Sequence, residues 1–263
     1  MDFQQKEKYT MEDLLKIVEI LRAPGGCPWD REQDHKSIRS CLIEETYEAI
    51  EAIDTENTEL LKEELGDVLL QVVFHTRIEE EEGNFDFSDV VDGIAKKMIV
   101  RHPHVFGDAT VRNSEDVLKN WDAIKKQTKQ QKTQTEVLQS ISAALPALMR
   151  SAKVQQKAAK VGFDWPDVGG ALEKVAEELE EVKEEIKKGD PQGQWNEIGD
   201  LLFSVVNVSR FLQVEPEQAL TLACNKFIDR FAKVEKLAQE RSIDMKQASL
   251  QELDSLWDEV KKG

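Results

Sequence analysis

Apolar residues recur at three- and four-residue intervals along nearly the whole chain. In LLKIVEILR (14–22), Leu14, Ile17, Val18 and Leu21 share one stripe, the mark of an amphipathic helix. The same periodicity predicts helices over 10–22, 37–54, 59–82, 88–101, 114–131, 136–160, 169–188, 192–213, 215–240 and 249–262. No segment alternates apolar and polar residues for long enough to specify a strand, so the expected class is all-α. Turn-forming residues fall between the helices: Ala23-Pro-Gly-Gly-Cys-Pro28, Gly83-Asn84, Gly162, Gly169-Gly170 and Gly189-Asp190-Pro191. Ser88 and Ser114 stand where N-caps are expected, Ser114 with Glu115 in its first turn.

The most polar stretch, KKQTKQQKTQ over 125–134, reads as a solvated helix end or a linker. A domain boundary near 130–145 is therefore expected, giving two parts, 1–135 and 136–263. These parts carry matched features in the same order. Glu44-Glu45-x-x-Glu48 and Glu64-Leu65-Gly66-Asp67 in the first correspond to Glu177-Glu178-x-x-Glu181 and Glu197-Ile198-Gly199-Asp200 in the second. The step from the third Glu to the fourth is 16 residues in both. CPWD around Trp29 is echoed by FDWPD around Trp165, Lys97-x-x-x-Arg101 by Lys226-x-x-x-Arg230, and Trp121-x-x-x-Lys125 by Trp257-x-x-x-Lys261. The reading is two tandem all-α helical-bundle domains of one ancestry.

Residues three and four apart share a helix face, so Glu45 projects with Glu48, and Glu64 with Asp67. The short turn at 54–58 folds their two helices into an antiparallel hairpin that can set the acidic pairs opposite each other. Glu178, Glu181, Glu197 and Asp200 repeat the arrangement. Val68-Leu69-Leu70 and Leu201-Leu202-Phe203 follow the acids, which places them at the edge of a buried face. Four facing carboxylates repel unless protonated or neutralised by cations. An all-oxygen set suits Mg²⁺ or Mn²⁺ rather than zinc. The glycine inside each Glu-x-Gly-Asp costs about 1 kcal/mol of helix propensity, which suggests close approach of a neighbouring helix or a ligand.

Charge alone points the other way. Among the 263 residues, 52 acids outnumber 35 Lys and Arg, for a net charge of −17. That disfavours binding to a nucleic-acid backbone, which needs clustered cations. A metal held by the acids reverses the local sign and readmits a small phosphorylated ligand. Three scattered cysteines, Cys27, Cys41 and Cys224, form no CxxC, which favours a reducing compartment and no structural zinc. MDFQQKEKYT at the N-terminus has no apolar signal core, and no run approaches a membrane span, so a cytoplasmic protein without membrane association is expected.

With its acidic motifs, CPWD, RHPHVF (101–106) and VGFDW (161–165), the chain resembles the MazG family of nucleoside triphosphate pyrophosphohydrolases over essentially its whole length, in the two-domain bacterial form. The acidic motif is similar to that of all-α dUTPases and dCTPases. The resemblance implies an all-α fold, a homodimer, and Mg²⁺-dependent cleavage of nucleoside triphosphates to the monophosphate and pyrophosphate, with the C-terminal domain the active one. It implies metal ligation by Glu178, Glu181, Glu197 and Asp200, with Glu177 in the same catalytic set. It also places Lys226, Arg230 and Trp257 where the family contacts nucleotide, with Lys261 as an extension.

The residues are compatible with that chemistry. No GxxxxGK[ST] loop is present, so a P-loop mechanism is disfavoured. Water activation falls either to a carboxylate such as Glu177 or to the metal, and the sequence does not choose. Lys174 lies one turn before Glu178, whereas Cys41 holds the corresponding place before Glu45, so the second half is the better phosphate site. Glu45, Glu48, Glu64 and Asp67 keep the full acidic set and are a possible second metal site. Trp257 either stacks on a base or packs as core. The non-enzymatic alternative is a helical adaptor whose acidic faces bind a basic partner. His102-Pro103-His104 reads as a structured turn, and Glu32-x-x-His35 as an isolated spacing. Trp29 and Trp165 read as core or interface residues, with a place beside the nucleotide pocket as the alternative. Cys27 and Cys41 read as small buried hydrophobes.

Overall fold

A computed structural model describes residues 3–128 and 131–262. The chain divides into two compact units, Met1–Lys125 and Lys126–Gly263. Helices, with no strand among the described residues, build both.

The first unit holds α1 (Met11–Arg22), α2 (Pro28–Glu32), α3 (Arg39–Asp54), α4 (Thr58–Glu81), α5 (Phe87–Arg101) and α6 (Pro103–Phe106), and α7 (Ser114–Thr128) begins in it. Thr10 caps α1 in a reciprocal box with Asp13, whose carboxylate also pairs with Lys6 at 2.5 Å. The turn from α3 to α4 places Glu56 at φ 54°, and Asn57 then accepts from Leu60 N to start α4. The core is Val18 of α1, Ile38, and Val73, Phe74 and Ile78 of α4. Arg22 is buried but fully engaged. It pairs with Glu81 at 2.8 Å, donates to the carbonyls of Asp30 and Gln33, and lies over the Phe74 ring. One guanidinium thereby ties α1, α2 and α4 together.

The second unit holds α8 (Gln134–Gln139), α9 (Ala147–Ala159), α10 (Val168–Lys188), α11 (Pro191–Phe211), α12 (Pro216–Glu240) and α13 (Leu250–Lys262). Gly189, left-handed at φ 67°, closes α10; Asp190 caps α11 and Pro191 occupies its first turn. This three-residue punctuation makes α10 and α11 a tight antiparallel hairpin, the counterpart of α3 and α4. The α9 helix packs on α11, as α1 packs on α4. A separate cluster of Val234, Ala238 and Leu256 joins α12 to α13, with Trp257 against it.

Four expectations need correction. The helix foreseen over 136–160 is broken between α8 and α9, because Pro146 lacks an N–H to continue the ladder and stands instead at the start of α9. Asp86, not Ser88, caps α5 in a box with Asp89. Asn113, not Ser114, accepts from Asp116 N, so Ser114 is the first residue of α7. Short helices α2 and α6, each opened by a proline, follow turns that sequence periodicity does not register. The end foreseen for α7, at 131, crosses residues 129–130, outside those described.

His35 and His75 lie 40 positions apart in sequence and meet across the first unit. Their rings stack at 5.0 Å, their Nδ1 atoms are 2.8 Å apart, and His35 Nε2 lies 2.7 Å from Glu79. Burial, then the neighbouring His35, pushes the His75 pKa below its ordinary 6.5. A depressed imidazole favours the fold while neutral: that stability is whole above pH 6.5 and is lost as pH falls through the folded-state value. Thermal melts between pH 5 and 8 are expected to show a fall in Tm below about pH 6.5, and His75→Val to flatten it.

Candidate active site

The α10–α11 hairpin brings Glu178, Glu197 and Asp200 together, with one carboxylate oxygen of each within 4.8 Å of the others. Glu178 is 4% exposed, and its Oε2 is buried with no hydrogen-bond donor facing it. An acceptor in that state calls for a cation or a proton. Glu181, one turn along α10, has its pKa raised by burial and then by the charges of Glu178 and Glu197. Lys174 bridges to Glu178 at 2.5 Å and to Glu177 at 2.9 Å, and those bonds hold its ammonium strongly protonated. Glu177 itself is exposed and stands outside the converging trio.

The first unit repeats the carboxylates without the lysine. Glu45, Glu48 and Glu64 converge within 4.8 Å, and Asp67 lies close enough to act on Glu64 and Glu45. Burial, followed by the surrounding acids, raises the pKa of both Glu45 and Glu64. Among the described residues no ion pair involves Glu45, Glu48 or Glu64. Both donor sets are wholly carboxylate oxygen, which fits a hard divalent cation such as Mg²⁺ or Mn²⁺.

A cavity of about 600 Å³ opens beside the second set, with Lys174, Glu178 and Asp200 on its wall. Phe163, Trp165, Phe203, Gln155, Asn207 and Arg210 complete much of the lining. A smaller cavity of about 250 Å³ in the first unit lies between α1, α4 and α5 and touches none of that unit's acidic set. The two halves therefore differ in more than the lysine.

Other anticipated residues lie elsewhere. Lys226 and Arg230 are one turn apart on α12, with no ion pair among the described residues. Trp257 of α13 is half-buried against the α12–α13 cluster and 5.0 Å from the Phe227 ring. Lys261 is exposed. None of these four lines the cavity. Trp29 is 59% exposed and Trp165 45%, so neither is a core residue within its unit; Trp165 borders the cavity instead. Cys27 and Cys41 are only half-buried. A side chain added at Gly66 or Gly199 would meet nothing within 4 Å, so no described helix of its own unit makes the close approach those glycines suggested. Gln155, Asn207 and the Asp164–Arg210 pair went unrecognised in sequence, since single polar residues on helices read as surface.

An all-α hairpin that gathers carboxylates beside a cavity defines an acidic-site helical protein. The model of the MazG nucleotide pyrophosphohydrolase domain matches the chain twice, at residues 33–106 and 170–235. The chain is 47% identical over 252 residues to the nucleoside triphosphate pyrophosphohydrolase/pyrophosphatase MazG of Thermotoga maritima, covering 96% of each protein. It is 43% identical over 255 residues to the nucleoside triphosphate pyrophosphohydrolase of Escherichia coli K12, covering 96% of this chain and 97% of that one. It is 50% identical over 246 residues to the uncharacterised protein YabN of Bacillus subtilis, of whose length it spans half. The chain belongs to the MazG family of nucleotide pyrophosphohydrolases.

The raised carboxylates predict how a cation acts. Their protonated form suits the fold, so their contribution is present below the ordinary 4.5 and is lost as pH rises through the folded-state values. A bound cation takes the protons' place. Added Mg²⁺ or Mn²⁺ is therefore expected to raise Tm more at pH 8 than at pH 5; equal rises at both would place the cation elsewhere.

Proposed function

We propose that this chain hydrolyses nucleoside triphosphates to the monophosphate and pyrophosphate, and that the second unit does so. The reading is carried by the convergence of Glu178, Glu197 and Asp200, the first and last of them on the wall of a cavity large enough for a nucleoside. Family membership and the names of the Thermotoga and Escherichia proteins support it. They do not favour the adaptor reading.

In this scheme Glu178, Glu181, Glu197 and Asp200 would hold Mg²⁺ or Mn²⁺, which would supply charge neutralisation for the triphosphate. Lys174, engaged with Glu178 and Glu177, transfers its ammonium to a phosphate oxygen when substrate enters. Glu177 lies outside the cation set and takes the proton of the attacking water. That water adds to the α-phosphorus, the bond to the bridging oxygen breaks, and pyrophosphate leaves. Lys226 and Arg230, unpaired among the described residues, and Lys261 are assigned to the phosphate chain, with Trp257 beside them. Glu45, Glu48, Glu64 and Asp67 form a second cation site that lacks a phosphate lysine. Three free cysteines support a reducing, cytoplasmic setting, and the acid excess remains against direct nucleic-acid binding. Among the described residues no helix is long and apolar enough to cross a membrane.

We also propose a homodimer. Ile53, Leu65, Ile99, Trp195, Leu202 and Ile228 are among many large apolar side chains more than half exposed or close to it, an uncommon surface for a monomer. Sedimentation is expected to give twice the mass of one 30.0 kDa chain. A monomer at micromolar concentration would refute this part.

Glu197→Ala is expected to lower pyrophosphate release from a mixed nucleoside triphosphate pool by at least a hundredfold, on the scale of losing a placed electrostatic contact. Glu64→Ala is expected to retain most of it. Wild-type turnover in purified Glu197→Ala would overturn the site assignment; orthophosphate with a diphosphate product would overturn the bond assignment.

A further inference from the structure

The cavity of the second unit has a polar floor that the hydrolytic scheme does not use. Gln155 of α9 is 6% exposed. Its Nε2 donates to Phe203 O at 2.7 Å, which fixes the amide, because the flipped form would set oxygen against oxygen. Oε1 is thereby a buried acceptor with no partner. Asn207 is oriented as firmly. Its Oδ1 accepts from Arg210 Nε at 3.0 Å and Nη2 at 2.8 Å, and Arg210 is clamped in turn by both oxygens of Asp164. The Asn207 amide nitrogen keeps its two hydrogens, with no partner among the described residues. Phe163, 83% exposed, and Trp165 bring aromatic faces to the lining.

The first unit has no such floor. The register that pairs Glu64 with Glu197 also pairs Val73 with Val206, each 1% exposed, and it pairs Phe74 with Asn207. Phe74 fills that place and packs against a fully buried Val18 of α1, the helix equivalent to α9. One copy has sealed the space as core. The other keeps it open, aromatic-walled and furnished with an oriented acceptor.

We propose that this cavity seats the nucleobase of the substrate, and that Gln155 Oε1 accepts a hydrogen bond from an N–H on the base edge. The proposal rests on the pyrophosphohydrolase reading and adds the recognition element to it. A triphosphate held through cations at Glu178 and Asp200 would enter at the wall they form, with the base further inward. Each natural base carries an N–H on its pairing edge, so the contact demands a donor without choosing among the four. A buried acceptor left unpaired is costly, which makes the site reject a base that lacks a donor N–H.

The test compares ATP with purine riboside 5′-triphosphate, which has no N–H on its base, using Mg²⁺ and pyrophosphate detection. Wild type is expected to favour ATP by about tenfold or more in kcat/KM. Gln155→Met is expected to lose about tenfold on ATP and to stay within about threefold on the purine analogue, so that the preference collapses. Phe163→Ala, at a ring too exposed to matter for folding, is expected to raise KM for both nucleotides with kcat little changed. No wild-type preference, an equal loss on both substrates in Gln155→Met, or an unchanged KM in Phe163→Ala would overturn the base assignment while leaving the hydrolase reading intact. Absence of pyrophosphate from either nucleotide with wild type would overturn both.

Discussion

The confrontation of like charges across a helix hairpin governs this molecule. Two antiparallel helices are held by apolar contact on one side and bring two carboxylates each to the other. The apolar contact is worth more than the repulsion, so the hairpin closes. The repulsion then has to be met by whatever is at hand. In the second unit part of the answer is covalently present, as Lys174. In the first, none of the described residues supplies it, and burial raises the pKa of Glu45 and Glu64 instead. An oxygen-only set in that condition has the donor chemistry of a hard divalent cation.

Around this shared constraint the two units have been finished differently. Val73 and Val206 seal the same point of the hairpin in both. One residue further, Phe74 completes an apolar core while Asn207 joins a polar network with Arg210 and Asp164. An arginine is satisfied in each unit, Arg22 in the first, its side chain buried, through Glu81 and two carbonyls, and half-buried Arg210 in the second through Asp164 and Asn207. The first arrangement braces helices; the second also leaves an amide free to face a ligand. Scaffold and site are thus two solutions of one packing problem.

Much of this was legible in the chain. The hairpins, the four acids of each set and the asymmetry of Lys174 against Cys41 all follow from spacing, because helical period and a short turn fix which side chains share a face. Where reading failed, the deciding contact was either too local or too distant. Pro146 interrupts an otherwise helical pattern that window periodicity runs straight through, and Asp86 and Asn113 win their caps by geometry, two residues and one residue before the serines that looked suitable. His35 meets His75 only because α4 folds back on the segment before α3, and nothing at either position announces it. Gln155 is the sharpest case. On a helix with an amphipathic face a glutamine is expected in solvent, and only the carbonyl of Phe203 shows that it is buried.

The tightness of the hairpins also bears on how the chain folds. Each acidic set is assembled from helices joined by a turn of a few residues, so its contacts span little sequence, and such contacts form early. Were the hairpin to close first, the charge confrontation would be met before α1 or α9 packs against it. A cation that relieves it would act on the folding limb of the kinetics, speeding collapse of the hairpin, rather than only slowing the unfolding of a finished structure. The acids that equip the chain for phosphate chemistry would then also make the order of its assembly depend on the ions around it.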